Sequence, residues 1–253
     1  CALRRPVSFH VRRSMYLLAD FLHWPYSDSD GSGCDDALIS RAHEIWRHSK
    51  ERLADDPSEL DRIDAISSLR RAVNHRLKAL TASYGIDTLP SLRSRKQSLE
   101  KFQDYGLIRP ALIKDLLAVR NLIEHEDAEP PDIDKCRYFI DIVWYFLKST
   151  DSLLHIRIDS LIYQSEDGQY DLFLRIQPEK QWKVLIKGKV PNDFLSEEGG
   201  DGKLQLRDFN AKKVRGNPQC ATFSAILIVE GDWLLHLARD YFGMAGYWYE
   251  DHV

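Results

Sequence analysis

Val119-Arg120-Asn121-Leu122-Ile123-Glu124-His125 closes a stretch that begins Ala111-Leu112-Ile113-Lys114-Asp115-Leu116-Leu117-Ala118, with apolar positions recurring at three and four residues. Residues at that spacing share one face of a helix, so the stretch predicts an amphipathic helix with Arg120 near its end. At about 100° per residue, Asn121 and His125 fall on one face and Arg120 on the adjoining edge. Upstream, Leu99 to Ile108 reads as a shorter helix. Downstream, Pro130-Pro131 breaks the pattern and Asp132 to Leu154 reads as one long amphipathic helix.

Working outward, Ser58 begins a long helix whose apolar positions Leu60, Ile63, Ile66, Leu69, Val73, Leu77 and Leu80 repeat at three and four, ending near Gly85. Before it, residues 13–24 fit a short helix ending at Trp24-Pro25, Ser27 to Gly33 a polar loop, and Asp35 or Asp36 the cap of a helix running to about Asp55. Near residue 155 the apolar period drops from 3.6 to 2. His155 to Gln164, Tyr170 to Ile176, Gln181 to Val190, Leu204 to Phe209 and Thr222 to Val229 read as strands, and Trp233 to Phe242 as a helix. The expected class is α+β, in three parts: a helical extension over 1–56, a helical bundle over 57–154 and a β-rich domain over 155–253.

Composition narrows the function. The 253 residues carry a net charge of −4 with pI near 6.2, so long nucleic acids are not held by bulk charge and any such contact is local. Basic residues bunch at Arg70, Arg71, Arg76 and Lys78, at Arg93, Arg95 and Lys96, and at Lys212, Lys213 and Arg215. Each bunch reads first as a solvated face. No apolar run has the length of a membrane span, and no signal-like stretch opens the chain, which predicts a cytoplasmic protein with no membrane partner. The four cysteines, Cys1, Cys34, Cys136 and Cys220, form no C-x-x-C pair and are expected to be reduced and structural.

An Arg followed by four residues and a His recurs at Arg5 with His10 and Arg70 with His75, and with slightly longer gaps at Arg4 with His10 and Arg41 with His48. Spacing alone therefore carries nothing. Arg120 differs in being followed directly by Asn at the end of an apolar helix, with a proline break and a long helix after it. In this context the motif resembles the Arg-x(4–6)-His signature of the HEPN ribonucleases, which have a polar residue next to the Arg. The order of helices from residue 57 to 154 resembles their bundle, and Arg70-Arg71-Ala72-Val73-Asn74-His75-Arg76 resembles the first bundle helix of some of these families.

The resemblance implies a metal-independent endoribonuclease without cofactors. In it His125 is the general base or acid for the 2′-hydroxyl, Arg120 stabilises the scissile phosphate, Asn121 positions phosphate or imidazole, and Glu124 orients its neighbours. An imidazole titrating near neutrality and a fixed cation suit that chemistry. His75 and Arg71, with Lys212, Lys213 and Arg215 in a basic loop over Asn210 to Pro218, are the candidate substrate contacts, although a surface histidine on an Arg-rich face and an exposed hairpin loop explain the same residues. The family assembles its site between two protomers, so a homodimer is expected, with Tyr138, Ile142, Trp144, Tyr145 and Leu147 as candidates for both core and interface. Relatives of this kind act as toxins or phage-defence effectors on cellular RNA, alongside an antitoxin or defence-system partner. The branch whose antitoxin attaches nucleotides to a Tyr two residues after the His has Asp127 at that place here, which argues against that control.

The same letters admit plainer readings. Arg120 and Glu124 are spaced for an ordinary i,i+4 ion pair, and His125 suits a helix C-terminus. The bundle is then a non-catalytic HEPN-like dimerisation or interaction module. A ligand sensor is a further alternative, but its one Gly-rich loop, Gly199-Gly200-Asp201-Gly202, is acidic and repels phosphate.

Overall fold

In the computed structural model, residues 14–32, 36–89, 98–108, 111–126, 129–155, 157–178, 182–213 and 219–246 are described. Strands β1 (Met15–Leu18) and β2 (Tyr26–Ser32) flank a 3-10 helix over Ala19–His23. Helices α1 (Asp36–Arg52), α2 (Glu59–Tyr84), α3 (Ser98–Asp104), α4 (Ala111–Glu126) and α5 (Ile133–His155) follow. Then come strands β3 (Arg157–Gln164), β4 (Asp171–Pro178), β5 (Trp182–Pro191), β6 (Leu195–Ser196), β7 (Lys203–Lys213) and β8 (Cys220–Ile228), and helix α6 (Gly231–Gly246). The fold is α+β. Among the described residues no helix is long and apolar enough to cross a membrane.

Local chemistry sets the helix ends. Ser58 Oγ accepts from the Asp61 amide at 3.2 Å while Asp61 Oδ2 accepts from the Ser58 amide at 3.1 Å, a reciprocal cap that satisfies two otherwise orphaned donors of α2. At the other end Gly85 takes φ 59, a left-handed conformation that glycine adopts at little cost. Asp132 caps α5, accepting from the Lys135 amide at 2.8 Å. Ala65, Ile66, Leu69, Ala72, Val73 and Leu80 of α2 are buried, as are Phe139, Val143 and Leu147 of α5. Leu60 departs from the expected stripe: in the first turn of α2 it is 75 % exposed.

The sheet draws on both ends of the chain. Its eight strands run in the order β2-β3-β4-β5-β8-β7-β1-β6, with antiparallel neighbours throughout. The helix expected over residues 13–24 is therefore strand β1 followed by the 3-10 helix, and the loop expected from Ser27 lies largely in edge strand β2. The physical reason is long-range pairing. Leu17 lies opposite Leu204 and Met15 opposite Leu206, so a four-residue apolar run too short to declare its period is fixed by β7. Tyr26 to Ser32 is polar because it is an irregular outer strand, with register shifts around Asp30. A division into a helical extension over 1–56 and a separate β-rich unit from 155 does not hold as drawn. Strands β1 and β2 of the first 32 residues belong to the sheet, and α1 packs on α2 and α5.

Helices and sheet share one core. Tyr84 at the end of α2 donates to the Leu153 carbonyl at 2.6 Å and accepts Trp182 Nε1 on its own carbonyl at 3.0 Å. Around it stand Tyr241 and Phe242 of α6, with ring centroids 5.9 and 5.6 Å away. Along the strands, Leu172, Leu174, Ile176, Val184, Ile186, Val190, Leu206 and Leu227 are buried on one face of the sheet. The alternate residues, among them Phe173, Arg175, Leu185, Lys187, Arg207 and Ile226, lie on the opposite face and are exposed or half-buried. Strand β7 extends to Lys213, so Lys212 and Lys213 sit opposite Thr222 and Ala221 in the sheet instead of in the expected loop from Asn210; Arg215 lies outside the described residues.

Candidate active site around Arg120

Helix α4 is anchored by Ile113, Leu116 and Ile123, all buried. This orientation leaves Asn121 and Leu122 exposed and Arg120 half-buried at the edge of the packed face. Arg120 Nη1 donates to Asn121 Oδ1 at 3.4 Å, a long contact between adjacent residues that keeps the amide beside the cation. The backbones of Glu124 and His125 continue α4 to its last turn, one turn beyond Arg120, while their side chains lie outside the described part of the structure.

Packing of α2 on α4 adds a group that sequence reading did not single out. Arg70, half-buried on α2, comes close enough to act on Arg120: partial burial of Arg120, and then the like charge of Arg70, hold its guanidinium below the usual arginine range. The Nε of Arg70 is buried and has no hydrogen-bond partner. Two guanidiniums from packed helices, next to an amide, can offer a phosphate several N–H donors at once. Arg71 and His75, one turn apart on α2, are exposed, and neither makes a hydrogen bond or ion pair among the described residues.

The basic bunch on α2 thus separates into different fates. Arg71 and Lys78 are solvated, Arg70 is half-buried, and Arg76 is wholly buried, which corrects the reading of the bunch as one solvated face. Arg76 Nη2 lies 2.7 Å from Asp151 Oδ1, and its Nη1 donates to the Leu147 carbonyl and Thr150 Oγ1, each at 3.1 Å. His43 Nε2 meets the same carboxylate at 3.0 Å, so one hydrogen-bonded network around Asp151 ties α1, α2 and α5 together. The signal was present in the spacing: Arg76 falls three residues after Val73 and seven after Leu69, on the apolar stripe itself. The role that follows is structural.

A second polar cluster lies where α6 meets the sheet. Tyr163 donates to Asp240 Oδ2 at 2.7 Å in a buried bond, His236 Nε2 stands 3.7 Å from that oxygen, and the rings of His23 and His236 meet edge-on at 5.2 Å. Burial drives the Asp240 carboxyl above its usual range, against the opposing pull of the Tyr163 hydrogen bond and the His236 charge. His236 and Asp240 are an i,i+4 pair readable in the sequence, whereas His23 comes from the 3-10 helix between β1 and β2 and Tyr163 from β3.

The expected interface residues also divide. Ile142 and Leu147 are core, Trp144 is half-buried, and Tyr138 and Tyr145 are 43 % and 67 % exposed, seven residues apart on the outer face of α5. Of the cysteines, Cys136 and Cys220 are free and buried; Cys1 and Cys34 lie outside the described residues, as do Arg93, Arg95 and Lys96. Compared with protein-family models, with curated proteins and with solved structures, the chain gives no match.

Proposed function

We propose that the chain is a metal-independent endoribonuclease of the HEPN type, with its site at the end of α4. The observation that carries this reading is the pairing of Arg120 with Asn121 near the end of α4, where α4 packs on the helix that carries Arg70 and where His125 lies in the last turn. In the reaction, an imidazole takes the proton of the ribose 2′-hydroxyl, whose oxygen attacks the neighbouring phosphorus. The bond to the 5′-oxygen breaks, and that oxygen leaves with a proton supplied by a general acid. The products are a 2′,3′-cyclic phosphate and a 5′-hydroxyl. His125 carries the proton transfer, Arg120 with Arg70 neutralises the phosphorane, and Asn121 positions it.

Only one imidazole is available from the motif of one chain, so a two-protomer site supplies the second transfer. Tyr138 and Tyr145 offer an aromatic face for that pairing. The biological setting proposed is that of a toxin or defence effector in the cytoplasm, restrained by a partner protein. A cleavage assay on total RNA tests the reading, with chelator present and with Arg120→Ala and His125→Ala as controls. The second reading, a non-catalytic interaction module, is favoured by the same aromatic face and is the conclusion if a dimer forms and cuts nothing.

A further inference from the structure

The sheet face turned away from the core carries a pattern that the α4 site does not use. Across the register, Phe173 of β4, Lys187 of β5, Ser224 of β8 and Asn210 of β7 form one row. The next is Arg175, Leu185, Ile226 and Arg207. A third holds exposed Asp171 of β4 opposite Lys189, then Thr222 and Lys212. Same-face rows repeat about every 7 Å along a strand, comparable with the phosphate repeat of an extended nucleic-acid strand.

Three properties of this face converge. First, Arg175, Lys187 and Arg207 are exposed, and none makes an ion pair or hydrogen bond among the described residues. The protein as a whole is acidic, at −4, so the local charge stands against the global one. Second, half-buried Phe173, Leu185 and Ile226 form an apolar ledge between those cations, and Lys187 Nζ lies 4.4 Å from the Phe173 ring centroid. Third, a shallow cavity of about 490 Å³ opens over this ledge, with Asp30 and Asp208 at its margins. The margin at Asp208 is shaped by a bulge in β7, where Asp208 takes φ 51 and the register to β8 shifts.

We propose that this open face binds single-stranded RNA, a base resting on Phe173 and Leu185 while Arg175, Lys187 and Arg207 take phosphates. Cations around a stackable ring fit a chain that alternates charge with flat bases. An acidic peptide supplies the charge without the flat groups, and a duplex hides its bases. The choice of RNA rests on the ribonuclease reading; the face does not depend on Arg120 or His125.

The test is fluorescence anisotropy with a labelled 2′-O-methyl oligouridylate of twelve nucleotides, which lacks the hydroxyl needed for cleavage, on the full chain over a salt series. The unsubstituted chain is expected to bind it, and the Arg175→Gln, Lys187→Gln, Arg207→Gln triple variant to bind at least about tenfold more weakly with a log–log salt slope shallower by about 2. Phe173→Leu is expected to lose roughly tenfold with the slope unchanged, since stacking carries no counterions. The proposal is overturned if the triple variant binds like the unsubstituted chain, if no binding is seen, or if duplex RNA or polyglutamate competes as well as the single strand. Thermal melts that superimpose confirm that these exposed changes leave the fold alone. The two proposals separate cleanly. Binding that depends on the face without any RNA cleavage sinks the nuclease alone; cleavage with an unchanged KM in the triple variant sinks the face alone.

Discussion

Arg120 and Arg70 lie close enough that, with partial burial of Arg120 acting first and the Arg70 charge second, the Arg120 guanidinium is held below its usual range. A phosphate within reach of both guanidiniums is offered two cations and several N–H donors. Arg70→Met is therefore expected to lower RNA cleavage about tenfold or more, and Arg120→Ala at least about a hundredfold, the scale for losing a cation at a developing phosphorane. Steady-state kinetics beside a thermal melt measures both. Melting within a degree or two of the parent is expected, because polar groups at a helix edge add little to the core. Unchanged kcat and KM in both variants would make the pair an accident of packing.

The other arginine of α2 gives the opposite prediction. Arg76 is fully buried against Asp151, so Arg76→Met leaves that carboxylate with only His43 and the more exposed Lys148 and is expected to cost about 3 kcal/mol of folding stability. Chemical denaturation measures it. At Asp151 burial pushes the carboxyl up, but the hydrogen bonds from His43 and Arg76 outweigh this and hold it below the ordinary 3.8. The folded value is below the unfolded one, so its stabilisation is complete above the ordinary value and is lost as pH falls through the folded one. Unfolding free energies from pH 6 down to 2.5 are expected to fall in that acid window, and the fall to be absent in Asp151→Asn.

Gly188 marks a close approach in the middle of β5. A Cβ there would stand 2.1 Å from the Asp171 carbonyl oxygen and 2.9 Å from Leu172 Cα, both backbone atoms of β4. Strand separation at this point has no room for a side chain, so Gly188→Ala is expected to cost about 1–3 kcal/mol, as overpacking does. An unchanged melting temperature would show that the β4 and β5 backbones move apart freely.

These cases show what the sequence could and could not say. The ends of α2 and α5 were readable because their caps are local: Ser58 and Asp132 bond to amides three residues away. The alternation of β4 and β5 was readable because one face of each is buried. Strands β1 and β2 were not, since their identity comes from partners far along the chain, Leu204 for Leu17 and Tyr163 for Tyr26. The expected catalytic positions were legible as one helix end. Arg70 was not separable from Arg71 and Lys78 by charge, because only the packing of the helices tells which cation becomes half-buried.

Tyr138 and Tyr145 on α5 are expected to pair two protomers. Sedimentation at micromolar concentration should give a dimer, and Tyr138→Glu with Tyr145→Glu a monomer that has lost cleavage while keeping its fold. A wild-type monomer that cuts RNA would refute the two-protomer site.

Incubation of the purified chain with total RNA in excess EDTA, followed by analysis of the new ends, addresses the nuclease directly. The expected result is cleavage that persists with chelator, leaves 2′,3′-cyclic phosphate and 5′-hydroxyl ends, and drops at least about a hundredfold in His125→Ala of unchanged melting temperature. Full activity in His125→Ala, or no cleavage by a folded dimeric wild type across total RNA, would contradict it.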